Sequence, residues 1–363
     1  MNVAILGGGQ LGRMLALAGY PLGLRFRFLD PNPDSPAGHL APLVVAPYND
    51  PDALAELAAG ADVVTYEFEN VPASVADTLG GSAPVFPPHA ALEIAQDRLS
   101  EKQTFQALGI PAAPFAAVDS LADLEKAVGT IGLPAVLKTR RLGYDGKGQF
   151  VLREDADVAR AWDALGGVPL ILEGFVAFER ELSILAVRGR KGEVAFYPLV
   201  ENHHRDGILR VSIAPAPDTD PRLQERAEHI ARRVLERLDY VGGLAIELFQ
   251  LGDELLANEM APRVHNSGHW TIEGAETSQF ENHLRAVCGL PLGSTAPRGW
   301  SAMLNIIGTL PPSDAVLEVP DAHLHLYGKA ERPGRKIGHV TVRTDDPETL
   351  RDRLEMLTPL VLG

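Results

Sequence analysis

The sequence is short of cysteine, of positive charge and of long apolar runs, and each shortage narrows what the chain can do. Its single cysteine, Cys288, has no partner for an internal disulfide and fits a reducing compartment. No metal-ligand spacing surrounds it, so packing is its expected role. Lysine and arginine number 33 against 48 aspartates and glutamates, a formal net charge of −15. That balance excludes nucleic acid and anionic membrane as general partners, so an anionic ligand must meet a local basic cluster. No stretch approaches the roughly 20 apolar residues of a spanning helix. The first strand runs straight into glycines without the pattern of a secretory leader. A soluble, cytoplasmic protein with no membrane partner is expected. With 363 residues, 45% of them hydrophobic and 22% charged, the chain has the makeup of an ordinary globular protein of two or three domains.

Strands alternate with helices over the first hundred residues: NVAIL, then LGRMLALAGYPLG, LRFRFLD, LVVAP, DPDALAELAAG and ADVVTYEFE. This alternation predicts a parallel sheet. HAALEIAQDRLSEKQTFQALG has the apolar spacing of one or two helices, and PAAPF reads as a linker. Beyond it the pattern becomes α+β, with strands PAVLKTR, QFVLRE, LILEGFV and RELSILAVRG. A long amphipathic helix, PRLQERAEHIARRVLERLDY, then precedes the strand pair GGLAIELFQ and ELLANEM. A last β-rich unit carries AMLNIIG, HLHLYGK and KIGHVTVRT. The expected division is a Rossmann-like domain over 1–100, a second domain over 101–288 with a lid at about 111–175, and a small β-rich domain over 289–363.

Gly7, Gly9 and Gly12 spell G-x-G-x-x-G between a strand and a helix, and Asp30 ends the next strand where a dinucleotide fold places its ribose-binding acid. An NAD(P)-dependent oxidoreductase is therefore one reading of the first domain. The glycines serve the turn and the helix packing whatever the ligand, and the rest of the chain points elsewhere. Lys138 ends an apolar strand just before GYDGKGQF, a glycine loop with Lys147 at its tip. That combination suits closure over a polyphosphate, although an exposed hairpin would look the same. In GGLAIELFQLGDELLANEM, a hairpin turning at Gly252–Glu254 sets Glu247 opposite Glu259. Opposed carboxylates repel unless a cation lies between them, and magnesium is held through one or two carboxylates plus substrate phosphates. Strict alternation turns Asn258 to the other face from Glu259, so the strand must twist or end there for both to serve one site. Arg263, His265, Asn266, His269 and Trp270 crowd after this pair. His265 and His269 have the spacing of a helical metal pair, but Ser267 and Gly268 argue for a loop and no third ligand is evident. GKAERPGRKIGH sets Lys329, Arg332, Arg335 and Lys336 against Glu331 alone, a turn suited to a phosphate monoester.

In this order, GGGQLGRML, YEFENVP, QDRLSEK, VLKTRRLGYDGKGQ, FYPLVENHHRDGILR, NEMAPRVHNSGHWT and RPGRKIGH resemble the ATP-grasp superfamily. Within it the match is to the 5-(carboxyamino)imidazole ribonucleotide synthases of purine biosynthesis, over nearly the whole chain. The formate-dependent glycinamide ribonucleotide transformylases are similar in plan but should lack HNSGHWT. The resemblance implies an ATP-grasp fold, ATP and magnesium as cofactors, a homodimer, and ATP-dependent carboxylation of 5-aminoimidazole ribonucleotide by bicarbonate through carboxyphosphate. It also implies that Arg98, Lys138 and the loop Gly143, Tyr144, Asp145, Gly146, Lys147, Gly148 and Gln149 contact the triphosphate. Glu173, Gly174, Phe175 and Val176 would read adenine, Glu181 the ribose, and His204 would lie in the nucleotide site. Glu247 and Glu259, with Asn258, would hold magnesium, and Arg263, His265 and Asn266 would position bicarbonate and the aminoimidazole. Lys329 and Arg335 would bind the ribose phosphate, while Gln10, Leu11 and Glu69 would contact the ribonucleotide. Glu67 competes with Glu69 for that role, since alternation puts both on one face.

Overall fold

The computed structural model describes residues 1–143 and 147–363, without the side chains of Ala76 and Asp77. Its N-terminal unit is β1 (Asn2–Leu6), α1 (Gln10–Gly19), β2 (Arg25–Asp30), β3 (Leu43–Val45), α2 (Pro51–Ala58), β4 (Val63–Tyr66) and α3 (Ser74–Gly80). The four strands pair in parallel in the order β3-β2-β1-β4. Val3, Ala4, Ile5 and Leu6 are all buried, as expected of a parallel strand covered on both faces. The long apolar-spaced segment after it is two helices, α4 (His89–Ala95) and α5 (Arg98–Ala107). Asp97 separates them by capping α5, accepting from the N–H groups of Leu99 and Ser100.

A four-stranded antiparallel sheet comes next. It is built from β5 (Phe115–Val118), α6 (Leu121–Ile131), β6 (Ala135–Thr139), β7 (Gln149–Leu152), α7 (Ala156–Leu165) and β8 (Leu170–Gly174), in the strand order β5-β8-β6-β7. Its core of Leu124, Leu137, Leu152, Ala161 and Leu172 is its own. The PAAPF segment is less of a linker than its prolines suggest: Ala257 N–H donates to the Pro111 carbonyl at 2.7 Å, and Gly174 N–H to that of Pro114 at 2.8 Å.

The rest forms one nine-stranded sheet. Its elements are β9 (Arg180–Arg188), β10 (Val194–Phe196), β11 (Val200–Arg205), β12 (Ile208–Ala214), α8 (Pro221–Arg237), β13 (Gly242–Leu251), β14 (Glu254–Ala261), α9 (Thr271–Gly274), α10 (Gln279–Val287), β15 (Trp300–Ile307), α11 (Ser313–Leu317), β16 (Ala322–Leu326), β17 (Lys336–Thr344) and α12 (Pro347–Val361). The order is β14-β13-β9-β11-β12-β15-β17-β16, with β10 on β9. The β-rich C-terminal segment therefore continues this sheet through the β12–β15 pairing. Helix α8 closes one face: Leu223, Ala227, Ile230, Ala231, Val234 and Leu235 recur at helical spacing and are buried against β9 and β13. That fixes Leu182, Ile184, Ile246 and Leu248 toward the helix. Their strand neighbours Glu181, Ser183, Glu247 and Phe249 take the opposite, site-bearing face.

Candidate active site

Hairpin β13–β14 turns on two residues, Gly252 and Asp253, with Leu251 paired to Glu254. This is tighter than the turn expected from sequence, yet Glu247 still pairs with Glu259, because the register shifts between Glu247 and Leu248. Asn258 is the extra residue of that β-bulge. A bulge re-aims side chains, which removes the objection that alternation points Asn258 away from Glu259. The backbone carbonyl of Asn258 accepts from Lys102 Nζ at 2.7 Å, while its buried Oδ1 has no hydrogen-bond partner among the described residues. Burial and the nearby Glu259 charge push the Glu247 carboxyl up to about 7. Glu259 goes the other way. Its burial is outweighed by Arg98, whose Nη1 lies 2.8 Å from Oε2, and the carboxyl is held down at about 2. Among the described residues no cluster of three or more His, Cys, Asp or Glu side chains could hold a metal alone. Two carboxylates and an orphaned amide oxygen are a hard oxygen donor set that fits magnesium completed by phosphate and water.

Helix α5 supplies the cations. Arg98, Glu101, Lys102 and Phe105 recur at helical spacing and face β14. Lys102 is 1% exposed, and its Nζ lies 3.2 Å from Glu173 Oε2, which Lys138 Nζ also approaches at 3.1 Å. Burial pulls the Lys138 amine down, partly offset by Glu173. The Glu173 side chain is thus committed to two lysines, and the amides of Gly174 and Phe175 to the Pro114 and Pro134 carbonyls. Phe175 itself is exposed and Val176 half-buried. Glu181 makes a short contact with His204 Nδ1. Burial opposes the charged imidazole, but this contact and the Glu247 charge raise its pKa. At the ends of the loop, Gly143 O lies 3.5 Å from Arg98 Nη2, and a Cβ on Gly148 would stand 2.6 Å from Thr139 Oγ1, so Gly148 lies close against β6. Lys147 and Gln149 flank Gly148, with Gln149 paired to Lys138. Tyr144, Asp145 and Gly146 lie outside the described residues.

The opening glycine turn is occupied by the protein itself. Gly8 N–H donates to Asp30 at 2.8 Å, and Gly9 and Gly12 N–H to the two oxygens of Glu67 at 2.9 and 3.0 Å. A Cβ on Gly7 would stand 2.6 Å from Glu67 Cγ. Where a dinucleotide's pyrophosphate would sit on the helix N-terminus, this chain places its own carboxylate, which removes the NAD reading. Burial raises the Glu67 carboxyl, against the pull of those two amides. Strand β4 ends at Tyr66, so strand alternation does not extend to Glu67 and Glu69. Glu67 turns to the glycines and Glu69 to Arg263, which grips both its oxygens. Gln10 Oε1 takes a hydrogen bond from Lys329 Nζ. The Leu11 side chain packs into the core, so only its backbone can meet a ligand. Burial draws the Lys329 amine down to about 8. Arg335 folds over the basic turn onto the Ala330 carbonyl at 3.2 Å, and Glu331 is spent on the Leu310 N–H at 2.6 Å. The charge of Lys336, which follows this turn at the start of β17, bears on Glu247, His204 and His265.

His265 Nε2 lies 3.6 Å from Glu247 Oε1, and its Nδ1 lies 2.9 Å from Ser267 Oγ. Burial and the Arg263 charge push the imidazole down to about 3, so it is neutral. Asn266 and Asn305 exchange amide hydrogen bonds at 3.0 and 2.7 Å. His269 leaves the site and packs against Phe280 and His339. The Arg98-to-Glu259 and Lys138-to-Glu173 groups therefore line one cleft, with Arg263, His265 and Asn266 beside it and Gln10, Glu69 and Lys329 on its N-terminal wall. Sequence reasoning missed Glu101, Lys102 and Asn305. The first two carried a signal, since they follow Arg98 at the spacing of one helix face.

A cleft between a small antiparallel sheet bearing Lys138 and a larger one bearing paired carboxylates is the arrangement of an ATP-grasp ligase. The ATP-grasp domain profile matches residues 103–280, the ribonucleotide synthetase preATP-grasp domain 1–96, and the phosphoribosylaminoimidazole carboxylase C-terminal domain 301–353. The N5-carboxyaminoimidazole ribonucleotide synthase of Pseudomonas aeruginosa is 58% identical over 99% of both chains. The solved N5-carboxyaminoimidazole ribonucleotide synthetase of Thermus thermophilus is 62% identical, with a TM-score of 0.96 over 100% of this chain and 99% of that one. That of Aspergillus clavatus, in complex with ADP and 5-aminoimidazole ribonucleotide, is 33% identical, with a TM-score of 0.91 over 99% and 97%. The chain belongs to the N5-carboxyaminoimidazole ribonucleotide synthase family. No helix among the described residues is long and apolar enough to cross a membrane.

Glu101 gives the first prediction. Its buried carboxyl is pushed up to about 8 by desolvation and Glu259, while Oε1 accepts from Met260 N–H at 2.6 Å. A folded-state pKa above the unfolded one favours the protonated acid. Its contribution is complete below the ordinary carboxylate range and lost as pH rises through about 8. Glu101→Gln keeps the acceptor and cannot ionise, so it should remove about a third to a half of the fall in urea midpoint between weakly acidic and mildly alkaline pH. An unchanged slope would show that Glu101 ionises freely in the fold.

Proposed function

We propose that the chain joins bicarbonate to the exocyclic amine of 5-aminoimidazole ribonucleotide at the expense of ATP, giving N5-carboxyaminoimidazole ribonucleotide, ADP and phosphate. The observation that carries this reading is the Glu247–Glu259 pair with Asn258, walled by Arg98 and Lys138 and open to Arg263, His265 and Asn266. In the first step a bicarbonate oxygen attacks the γ-phosphorus and the bond to ADP breaks, leaving carboxyphosphate. Arg98, Lys138 and the loop Gly143–Gln149 would stabilise the charge that develops on the transferred phosphoryl group, and that stabilisation is the main catalytic contribution. Glu247, Glu259 and Asn258 would hold magnesium, which neutralises phosphate charge and aligns the phosphates when bound. Glu173, Gly174, Phe175 and Val176 meet the adenine, Glu181 the ribose, and His204 the same nucleotide.

In the second step the amine nitrogen bonds to the carboxyl carbon, the carbon–oxygen bond to phosphate breaks, and the amine proton leaves with phosphate. Carboxyphosphate hydrolyses readily, so a cation-rich cleft under the small sheet and its loop protects it. Arg263, His265 and Asn266 position the carboxyl group. Gln10, the Leu11 backbone, Glu69, Lys329 and Arg335 hold the ribonucleotide. A homodimer working in the cytoplasm completes the reading; the family resemblance supports the dimer, and the lone buried thiol of Cys288 fits a reducing compartment.

The deciding experiment is ADP formation with bicarbonate, 5-aminoimidazole ribonucleotide or glycinamide ribonucleotide supplied and withheld in turn. Full turnover should need the first two together. Turnover driven by glycinamide ribonucleotide and formate would transfer the chain to the transformylases, and nicotinamide-dependent absorbance changes would restore the oxidoreductase. Glu259→Gln should abolish turnover while leaving the thermal transition within a few degrees of wild type. Full activity in that variant would remove the magnesium assignment. Arg335→Ala should raise the ribonucleotide KM by about tenfold or more, the loss of one charged hydrogen bond, with little change in the KM for ATP. Equal effects on both would misplace the basic turn.

A further inference from the structure

We infer that a buried chain of Ser212, Asn202, Ser183 and Ser267 fixes His265 as the tautomer that carries its proton on Nε2. In this chain His265 is a hydrogen-bond donor to the carboxyl group and cannot serve as a base through that nitrogen. The inference rests on the carboxylation reading for what the donor faces, and on geometry alone for the tautomer.

Ser267 N–H points at His265 Nδ1 at 3.4 Å. A backbone amide can only donate, so Nδ1 must offer a lone pair and the proton of a neutral ring must sit on Nε2. The polarity of every further link is then set. With Nδ1 an acceptor, Ser267 Oγ, 2.9 Å away, must donate to it. Having given up its proton, Ser267 Oγ must accept from Ser183 Oγ at 2.8 Å. Ser183 Oγ then accepts from the Asn202 amide nitrogen at 3.0 Å, and Asn202 Oδ1 accepts from Ser212 Oγ at 2.8 Å. No link can be reversed alone. Ser183, Ser212 and Ser267 are 0% exposed and Asn202 is 5%, so water does not compete for these groups. They come from β9, β11, β12 and the turn after β14, which the sheet order brings side by side.

The far end of the ring shows what this polarity serves. Nε2 points toward Glu247 Oε1 at 3.6 Å, longer than a hydrogen bond, so the N–H keeps capacity for a ligand oxygen. A neutral donor there polarises a carboxyl oxygen without taking up the proton the amine must lose. Ser183, Asn202, Ser212 and Ser267 are positioning residues, since they act only through His265.

Asn202→Asp tests this directly. An aspartate is near-isosteric but can only accept, so Ser183 must donate to it and Ser267 Oγ to Ser183. At His265 Nδ1 the hydroxyl oxygen 2.9 Å away then acts as an acceptor and outweighs the longer 3.4 Å contact from the Ser267 N–H. In enzyme labelled with 15N in histidine, wild type should show His265 protonated at Nε2, its signals assigned by their loss in His265→Gln. Asn202→Asp should move the proton to Nδ1. It should also lower kcat for carboxylation by about a hundredfold, the cost of a lost preorganised donor, while the KM for ATP stays within about twofold. Ser183→Ala is the second variant. It cuts the chain without adding charge and should give mixed tautomers with an intermediate kcat. Wild-type His265 protonated at Nδ1, or the same tautomer in wild type and both variants, overturns the inference. So does a switched tautomer with undiminished kcat. The tautomer is read without substrate, so a wild type that lacks bicarbonate-dependent turnover defeats the carboxylation reading and leaves the chain's polarity standing.

Discussion

Two carboxylates set directly opposite each other on antiparallel strands repel, and the architecture around Glu247 and Glu259 is what makes that repulsion tolerable. The two acids are pushed apart in character. Glu247 is left near neutrality by burial, and Glu259 is held fully ionised by Arg98. Helix α5 must therefore lie along β14 with Arg98, Glu101 and Lys102 inward, and it does so because Asp97 caps it and Phe105 anchors its far end. Lys102 in turn holds Asn258 at the bulge and Glu173 on the small sheet. Remove the need to compensate one repulsive pair, and most of the buried charge in the cleft loses its reason to be there.

A similar economy governs the N-terminal domain. A glycine-rich strand–turn–helix unit leaves backbone amides at a helix N-terminus, and such amides attract anions. Here Glu67 and Asp30 satisfy them internally, which turns a dinucleotide platform into a rigid shelf. Gln10 stands on that shelf and meets Lys329 from the C-terminal segment, while Glu69 beside it meets Arg263. The N-terminal wall of the cleft is thus closed by contacts between parts of the chain more than 190 residues apart.

Such long-range closure separates what could be read from sequence from what could not. The parallel sheet, α8 and the hairpin were legible because apolar periodicity and turn residues are local signals. The Glu247–Glu259 pairing was legible too, though through two departures that cancel: a turn one residue tighter than expected, and a bulge that restores the register. Alternation misled at Glu67 and Glu69 because the strand stops before them. Strands β10 to β12 gave little signal, since VENHHR and ILRVSIA mix polar and apolar residues on faces divided between core and cleft. The polarity of the chain behind His265 was not legible at all. It depends on four segments meeting, and nothing in any one of them specifies a partner.

The small sheet differs from the rest in how it is held. Its hydrophobic core is separate from that of the large sheet. Backbone hydrogen bonds from Ala257 to Pro111 and from Arg98 to the Arg140 carbonyl join it to its surroundings. The other bridges run through charge: Lys102 to Glu173, Arg98 to the Gly143 carbonyl, and Arg141 to Asp97. An element with its own core and polar attachments can rock as a body at modest cost, because little apolar surface is exposed when it moves. Lys138 and Glu173 ride on this element while Glu259 and Arg98 do not. Any movement of the small sheet would therefore carry Lys138 and Glu173 relative to Arg98 and Glu259, so the division of cores that separates the two sheets is also what permits the width of the cleft to change.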